Sequence, residues 1–264
     1  MSAVATPTSE QPPSPLTSVL RGILALFLWT TMPAYRRRWT LLPVLTGVSM
    51  MAMLVGAVLA APREVIEGDV QRLMYLHVPS ASAGTYFSFL IAAAASIAFL
   101  VSRDIRWDAV ARAAATVGIL FTVLTLATGA IWGKPIWGVY WTWDARLTST
   151  LVLLLIYTAY LLARSVAGPN DEQAARYAAV FALIGFLDIP LIHFSVDWWR
   201  TLHPQRIIFD PRPAVPGEML IVLLVSFIAI TFLMLWLVAL RSDAEQLTQR
   251  TDRMRARLDQ RGPA

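Results

Sequence analysis

The chain of 264 residues contains no cysteine. That excludes disulfides, thiolate metal sites, iron–sulfur clusters and covalent cofactor attachment through Cys-x-x-Cys-His. Lysine is almost missing as well: Lys134 is the single one, so the basic residues are nearly all Arg. No Gly-x-x-x-x-Gly-Lys-Ser/Thr loop is present, so the chain is not expected to hydrolyse ATP by itself. Charge is scarce, 15% of residues against 57% hydrophobic, which is too apolar for a soluble domain of this length. An integral membrane protein is expected. The first 16 residues are polar and rich in Pro and Ser, without the apolar core and cleavage site of a secretory signal, and read as a disordered tail.

Six apolar stretches have the length needed to cross hydrocarbon: Leu41–Ala60, Ala81–Val101, Ala113–Ile131, Leu147–Leu162, Tyr177–Val196 and Met219–Leu240. Backbone polar groups in lipid must be satisfied within the segment, so all six are predicted to be helices. An earlier stretch, Leu16–Tyr35, is interrupted by Arg21 and ends near Pro33; it reads as an interfacial amphipathic helix. The expected division is a tail with interfacial helix over 1–40, a six-helix membrane domain over 41–240, and a charged cytoplasmic helical tail over 241–264. A solvated helix is the plain reading of that tail, and docking to a partner the other.

Basic residues orient the spans. The N-terminal region, second loop, fourth loop and C-terminal tail hold 15 of them; the first, third and fifth loops hold 7: Arg63, Arg72, Lys134, Arg146, Arg200, Arg206 and Arg212. The richer side is expected to be cytoplasmic, with both termini inside. The net charge of +5 thus reflects topology, and no nucleic-acid partner is expected.

The third loop, on the outer side, carries the densest signal. Four of the ten Trp fall between Trp132 and Trp143, in a run ending Trp137-Gly138-Val139-Tyr140-Trp141-Thr142-Trp143-Asp144. One reading is an aromatic belt at headgroup level. The other is a platform for a large planar ligand. If the segment is helical, Trp137, Tyr140, Trp141 and Asp144 share one amphipathic face, and Gly138 permits close approach of a ring.

All three His, His77, His193 and His203, fall on this same side. Taken singly, each reads as a packed or solvated residue. His77 and His193, however, are flanked by large apolar side chains at the hydrocarbon boundary, where an unpaired imidazole is costly. Haem iron is a natural partner for a neutral imidazole. His203 sits in a wetter loop and is the weaker candidate. Arg146 suits a haem propionate or, alternatively, an ion pair with Asp144. Asp188 lies inside the fifth span, roughly 12 Å from its outer boundary. An ionisable group at that depth raises a functional hypothesis; the structural reading is that it satisfies backbone groups freed by Pro190.

Trp132-Gly133-Lys134-Pro135, then Trp137-Gly138-x-x-Trp141-x-Trp143-Asp144-Ala145-Arg146-Leu147-Thr148, resembles the tryptophan-rich (WWD) signature of the haem-handling proteins of cytochrome c maturation. His77 before the second span and His193 before Ser195-Val196-Asp197-Trp198-Trp199 resemble that family's paired haem-ligating histidines. Six spans and this length resemble its small branch, the haem exporter C proteins of the bacterial System I pathway. The resemblance spans roughly residues 35–240.

It implies a bacterial inner-membrane protein that holds haem b non-covalently and transiently at its periplasmic face. Iron would lie between His77 and His193, with the ring against Trp132, Trp137, Gly138, Trp141, Trp143, Asp144 and Arg146. The implied partners are a periplasmic haem chaperone, the ATPase and membrane subunits of an ABC transporter, a small single-span accessory subunit and the lipid bilayer. Haem transfer of a lyase type would need no ATPase of its own. Three rivals are a larger haem lyase, a transmembrane haem channel and a cytochrome b-like electron-transfer subunit. The first would carry an extra periplasmic domain. The second would need a polar path, for which Asp188 is the one deep candidate. The third holds haem inside the bundle.

Overall fold

The computed structural model describes residues 40–203 and 215–260. The expected tail and interfacial helix before Thr40 lie outside them. Among the described residues, six helices are long and apolar enough to cross a membrane: α1 (Thr40–Ala60), α2 (Asp69–Ser102), α3 (Ile105–Trp137), α4 (Ala145–Ala167), α5 (Glu172–Trp198) and α6 (Gly217–Asp259). They coincide with the six apolar stretches. Most run beyond them, because a helical ladder need not stop where the hydrocarbon does.

Aspartates start three of the helices. Asp104, Asp144 and Asp171 accept from the backbone N–H of Arg106, Leu147 and Ala174. Each such cap satisfies a donor the helix leaves orphaned and is worth about 1 kcal/mol. α2 is composite: a 3-10 turn over Asp69–Leu73, an α turn over Met74–Pro79, a π segment over Ser80–Tyr86, then α-helix to Ser102. Pro79 supplies no N–H to the ladder, and the wide π turns begin at the next residue.

The outer surface of the bundle is apolar, with Val48 66%, Ile221 64% and Leu187 71% exposed, as a lipid-facing surface must be. Inside, Phe89 of α2 stacks on Tyr157 of α4, with centroids 3.8 Å apart. Gly118 of α3 makes room for that ring: a Cβ there would stand 2.5 Å from Phe89 Cε1. Small residues at such contacts let membrane helices approach closely.

The helix links alternate between two ends. One end gathers residues 61–68, 138–144 and 199–203; the other gathers 103–104, 168–171 and the charged end of α6. At this second end Arg164 grips Asp108 with two hydrogen bonds, of 2.7 and 3.1 Å, and the two side chains are 1% and 3% exposed. Arg112 lies at ion-pair distance from Asp108 (3.3 Å) and Glu245 (2.8 Å) without hydrogen-bond alignment. Gln249 donates to the carbonyls of Ile105 and Pro169. The plain expectation of a solvated tail is therefore corrected. Helix α6 runs on unbroken to Asp259, but Ser242, Glu245 and Gln249 bury one face against the α3 and α4 ends. From Arg253 to Gln260 every side chain is exposed.

Candidate functional site

The tryptophan run does not form one helical face. α3 continues through Trp137 and stops at Gly138, whose φ of +77° is left-handed and whose N–H bonds the Lys134 carbonyl. Residues 138–144 are irregular, because the next helix is started separately by the Asp144 cap. The conditional helix that would align Trp137, Tyr140, Trp141 and Asp144 is thus corrected. A glycine tolerates the left-handed stop that ends it.

Beside this stop lies a mostly apolar cavity of about 80 Å³. Its wall includes His77 from α2, Thr125 and Gly129 from α3, Trp137 and Tyr140 around the helix stop, and Arg146 and Thr150 from α4. His203 closes it from the loop after α5, and Tyr86 and Ile192 also face it. Trp137 meets the His203 ring edge-on at 4.9 Å. Trp137 itself leans over Gly133, where a Cβ would stand 2.8 Å from the indole.

His77 is half-buried and packs edge-on against Trp132, with centroids 5.6 Å apart. Its Nδ1 lies 3.1 Å from Thr128 Oγ1. Trp132 donates its Nε1–H to Glu67 at 3.0 Å, which joins the loop between α1 and α2 to α3.

Asp144 ties the last described loop residues to the start of α4. Its Oδ1 accepts from Leu147 N–H at 2.8 Å and its Oδ2 from the Thr201 hydroxyl at 2.7 Å. His203 Nδ1 stands 3.4 Å from Oδ2, with the two side chains 14% and 8% exposed. Burial pushes the carboxyl pKa up. The bonds from His203, the Leu147 N–H and Thr201 outweigh it and hold Asp144 well below the usual carboxylate range.

The remaining candidate residues are placed as follows. Arg146 lines the cavity and donates Nη2 to the His193 carbonyl at 3.2 Å. The His193 ring stands edge-on to Phe194 at 5.1 Å and is not part of the cavity wall. Trp141 and Trp143 pack on each other at 5.6 Å, outside the wall, and Trp143 is 77% exposed. Asp188 is half-buried on α5, and among the described residues its Oδ2 has no hydrogen-bond partner; that oxygen does not bond the backbone near Pro190. Sequence reasoning passed over Tyr86, Thr125, Thr128, Gly129 and Thr150. The signal for three of them was available: Thr125, Thr128 and Gly129 interrupt an apolar span at one-turn spacing.

An all-helical bundle with six helices able to cross a membrane and a two-histidine, aromatic-walled cavity at one end defines a multi-pass membrane protein with a candidate ligand site. The family described as heme exporter protein C matches residues 27–257. The chain is 41% identical over 208 residues to the heme exporter protein C of Bradyrhizobium diazoefficiens, covering 76% of this chain and 78% of that one. It is 35% identical over 221 residues to the heme exporter protein C of Haemophilus influenzae, covering 81% and 88%. A putative ccmC-like mitochondrial protein of cytochrome c biosynthesis from Marchantia polymorpha is 39% identical over 176 residues, covering 66% and 72%. The chain belongs to the heme exporter protein C family.

Proposed function

We propose that this protein binds haem b non-covalently and transiently at the periplasmic end of its helix bundle and presents it to a periplasmic haem chaperone during cytochrome c maturation. The observation that carries this reading is the meeting of two imidazoles, His77 and His203, in one cavity walled by Trp137 and Tyr140 and reached by Arg146. The donor set fits the ligand. Neutral imidazoles are common axial ligands of haem iron, indole and phenol rings pack on a porphyrin by offset or edge contacts, and guanidinium pairs with a propionate.

Geometry favours His203 over His193 as the partner of His77, since His203 shares the cavity and His193 does not. Trp132 and Gly138 then act one step removed, bracing His77 and ending α3 so that Trp137 faces the ligand. Trp141 and Trp143 offer indole surface outside the cavity, where a ring edge or the chaperone would meet them. The cavity is small against the roughly 300–1,000 Å³ of ligand pockets, so the porphyrin would not lie wholly within it. Haem supplies the iron that takes the imidazoles and the vinyl group that the chaperone takes up. The protein ligates, orients and keeps water away. The Arg distribution supports an orientation with both termini cytoplasmic. Membership of the family supports a bacterial inner membrane as the location, with the ATPase and membrane subunits of an ABC transporter and a small single-span subunit as partners.

The test is an absorption spectrum of detergent-purified protein co-expressed with the chaperone, beside His77→Ala, His203→Ala and His193→Ala. Loss of a low-spin bis-imidazole signal in the first two, and its survival in the third, is expected. A signal lost in His193→Ala and kept in His203→Ala returns the second ligand to His193. A wild type without haem sinks the reading altogether.

A further inference from the structure

The imidazole of His77 is held by a single neighbouring helix. Thr128 Oγ1, on α3, lies 3.1 Å from His77 Nδ1. The same hydroxyl faces two backbone carbonyls, of Leu124 at 2.7 Å and of Thr125 at 3.2 Å. A hydroxyl has one hydrogen, and a carbonyl only accepts. With that hydrogen turned to the Leu124 carbonyl, the shorter of the two contacts, the Thr128 oxygen meets His77 as an acceptor, and Nδ1 carries the imidazole proton. In a neutral imidazole one nitrogen donates and the other accepts, so the lone pair is left on Nε2.

Two further observations hold the ring in this pose. A Cβ at Gly129 would stand 2.8 Å from His77 Cε1, so the ring lies directly on the α3 backbone beside Thr128. Glycine inside a helix costs about 1 kcal/mol against alanine, and here the close approach gives it a reason. Trp132 closes the ring's flank edge-on, itself tied through Nε1 to Glu67. Thr128 is 6% exposed, so water does not readily replace its oxygen.

We propose that Thr128 and Gly129 are positioning residues for His77: Thr128 fixes the Nδ1–H tautomer and Gly129 the ring's seat, so that Nε2 is the atom offered to haem iron. The proposal rests on the reading of His77 as a haem ligand. Metal-bound histidines generally donate their other ring N–H to an acceptor, which sets ring orientation and ligand basicity. In this protein the Thr128 hydroxyl stands at hydrogen-bond distance from Nδ1, and the Thr125 backbone of the same helix also faces the imidazole.

The experiment begins without haem. With only three His in the chain, long-range proton–nitrogen spectra of ¹⁵N-histidine-labelled apoprotein in detergent resolve each tautomer, and His77→Ala assigns the His77 signals. Nδ1–H is expected in the wild type and in Thr128→Ser, and its loss in Thr128→Val, which keeps the shape and removes the acceptor. An Nε2–H tautomer in the wild type, or an unchanged spectrum in Thr128→Val, overturns the proposal. The second arm uses haem-loaded protein. Thr128→Val and Gly129→Ala should weaken haem retention by about 10–100-fold and shift the low-spin absorption and electron-paramagnetic signature, with Thr128→Ser close to wild type. Wild-type signature and retention in Thr128→Val overturn the positioning role. Haem unaffected by His77→Ala would instead remove the ligand reading, a failure the apoprotein spectra do not share.

Discussion

Asp144 performs two tasks that a pair of substitutions separates. It caps α4 through Oδ1 to Leu147 N–H, and through Oδ2 it holds Thr201 and His203 on the next loop. Asp144→Ala removes both. The cap is worth about 1 kcal/mol, and a hydrogen bond to a charged acceptor about 1.5–3 kcal/mol, so a loss of about 2.5–4 kcal/mol is expected in the stability of the end that holds the cavity. Asp144→Asn keeps a good capping residue and an oxygen for Thr201 but loses the charge that faces His203. It should therefore destabilise less than Asp144→Ala, because the cap is kept, while weakening haem retention about tenfold, equivalent to 1.4 kcal/mol. Thermal unfolding of the detergent-purified protein measures the first quantity, and haem titration by tryptophan quenching the second. Equal destabilisation by Ala and Asn refutes the capping argument. Wild-type haem retention in both refutes the tether. The pH dependence follows from the same contacts. A carboxyl whose folded pKa is depressed stabilises fully above its unfolded pKa, about 3.9, and the contribution is lost as pH falls through the lower folded value. The tether should thus hold from neutral pH down to about 4 and fail only below it.

Other outcomes follow from the same geometry. Arg164→Met leaves Asp108 buried and poorly compensated, because Arg112 nearby is not aligned to replace two hydrogen bonds. A loss of about 3–5 kcal/mol is expected, and a shift of the unfolding transition worth under about 1 kcal/mol would refute it. Gly118→Ala drives a Cβ to 2.5 Å from Phe89 and should destabilise by about 1–3 kcal/mol, although alanine is the better helix former; a rise in melting temperature would contradict this packing. Trp137→Ala should reduce haem retention more than Trp199→Ala, since Trp137 walls the cavity and Trp199 does not. Equal effects in haem titrations would return the tryptophans to a belt role.

The six spans were legible in the chain because the bilayer imposes a one-dimensional rule: an apolar stretch of sufficient length must be a helix that closes its own hydrogen bonds. Asp104, Asp144 and Asp171 act on donors within three residues of themselves, a local matter too, but their capping went unread in the sequence. The tryptophan run announced a site for the same reason, as a local excess of rings. Its conformation was not legible. Periodicity suggested one helical face, whereas Gly138 ends α3 in a left-handed turn and leaves Trp137 on the cavity and Trp143 exposed.

The sequence by itself, then, determined the membrane class, the span count and the end of the molecule where aromatic and imidazole groups gather. Tertiary structure decided which of those groups meet. His193 reads as a better ligand than His203 when judged by neighbours in the chain, yet the loop after α5 folds back so that Thr201 and His203 reach Asp144, and His203 closes on the cavity that holds His77. Thr128 and Gly129 were an unremarked break in an apolar span until α2 and α3 packed and set the His77 ring on them. The α6 tail reads as solvated because its charges are plain in the sequence, but the buried Asp108, Arg112, Arg164 and Glu245 cluster exists only where three helix ends converge. Contacts between residues tens of positions apart depend on how helices pack, and packing is a property of shapes in three dimensions that no local pattern along the chain encodes.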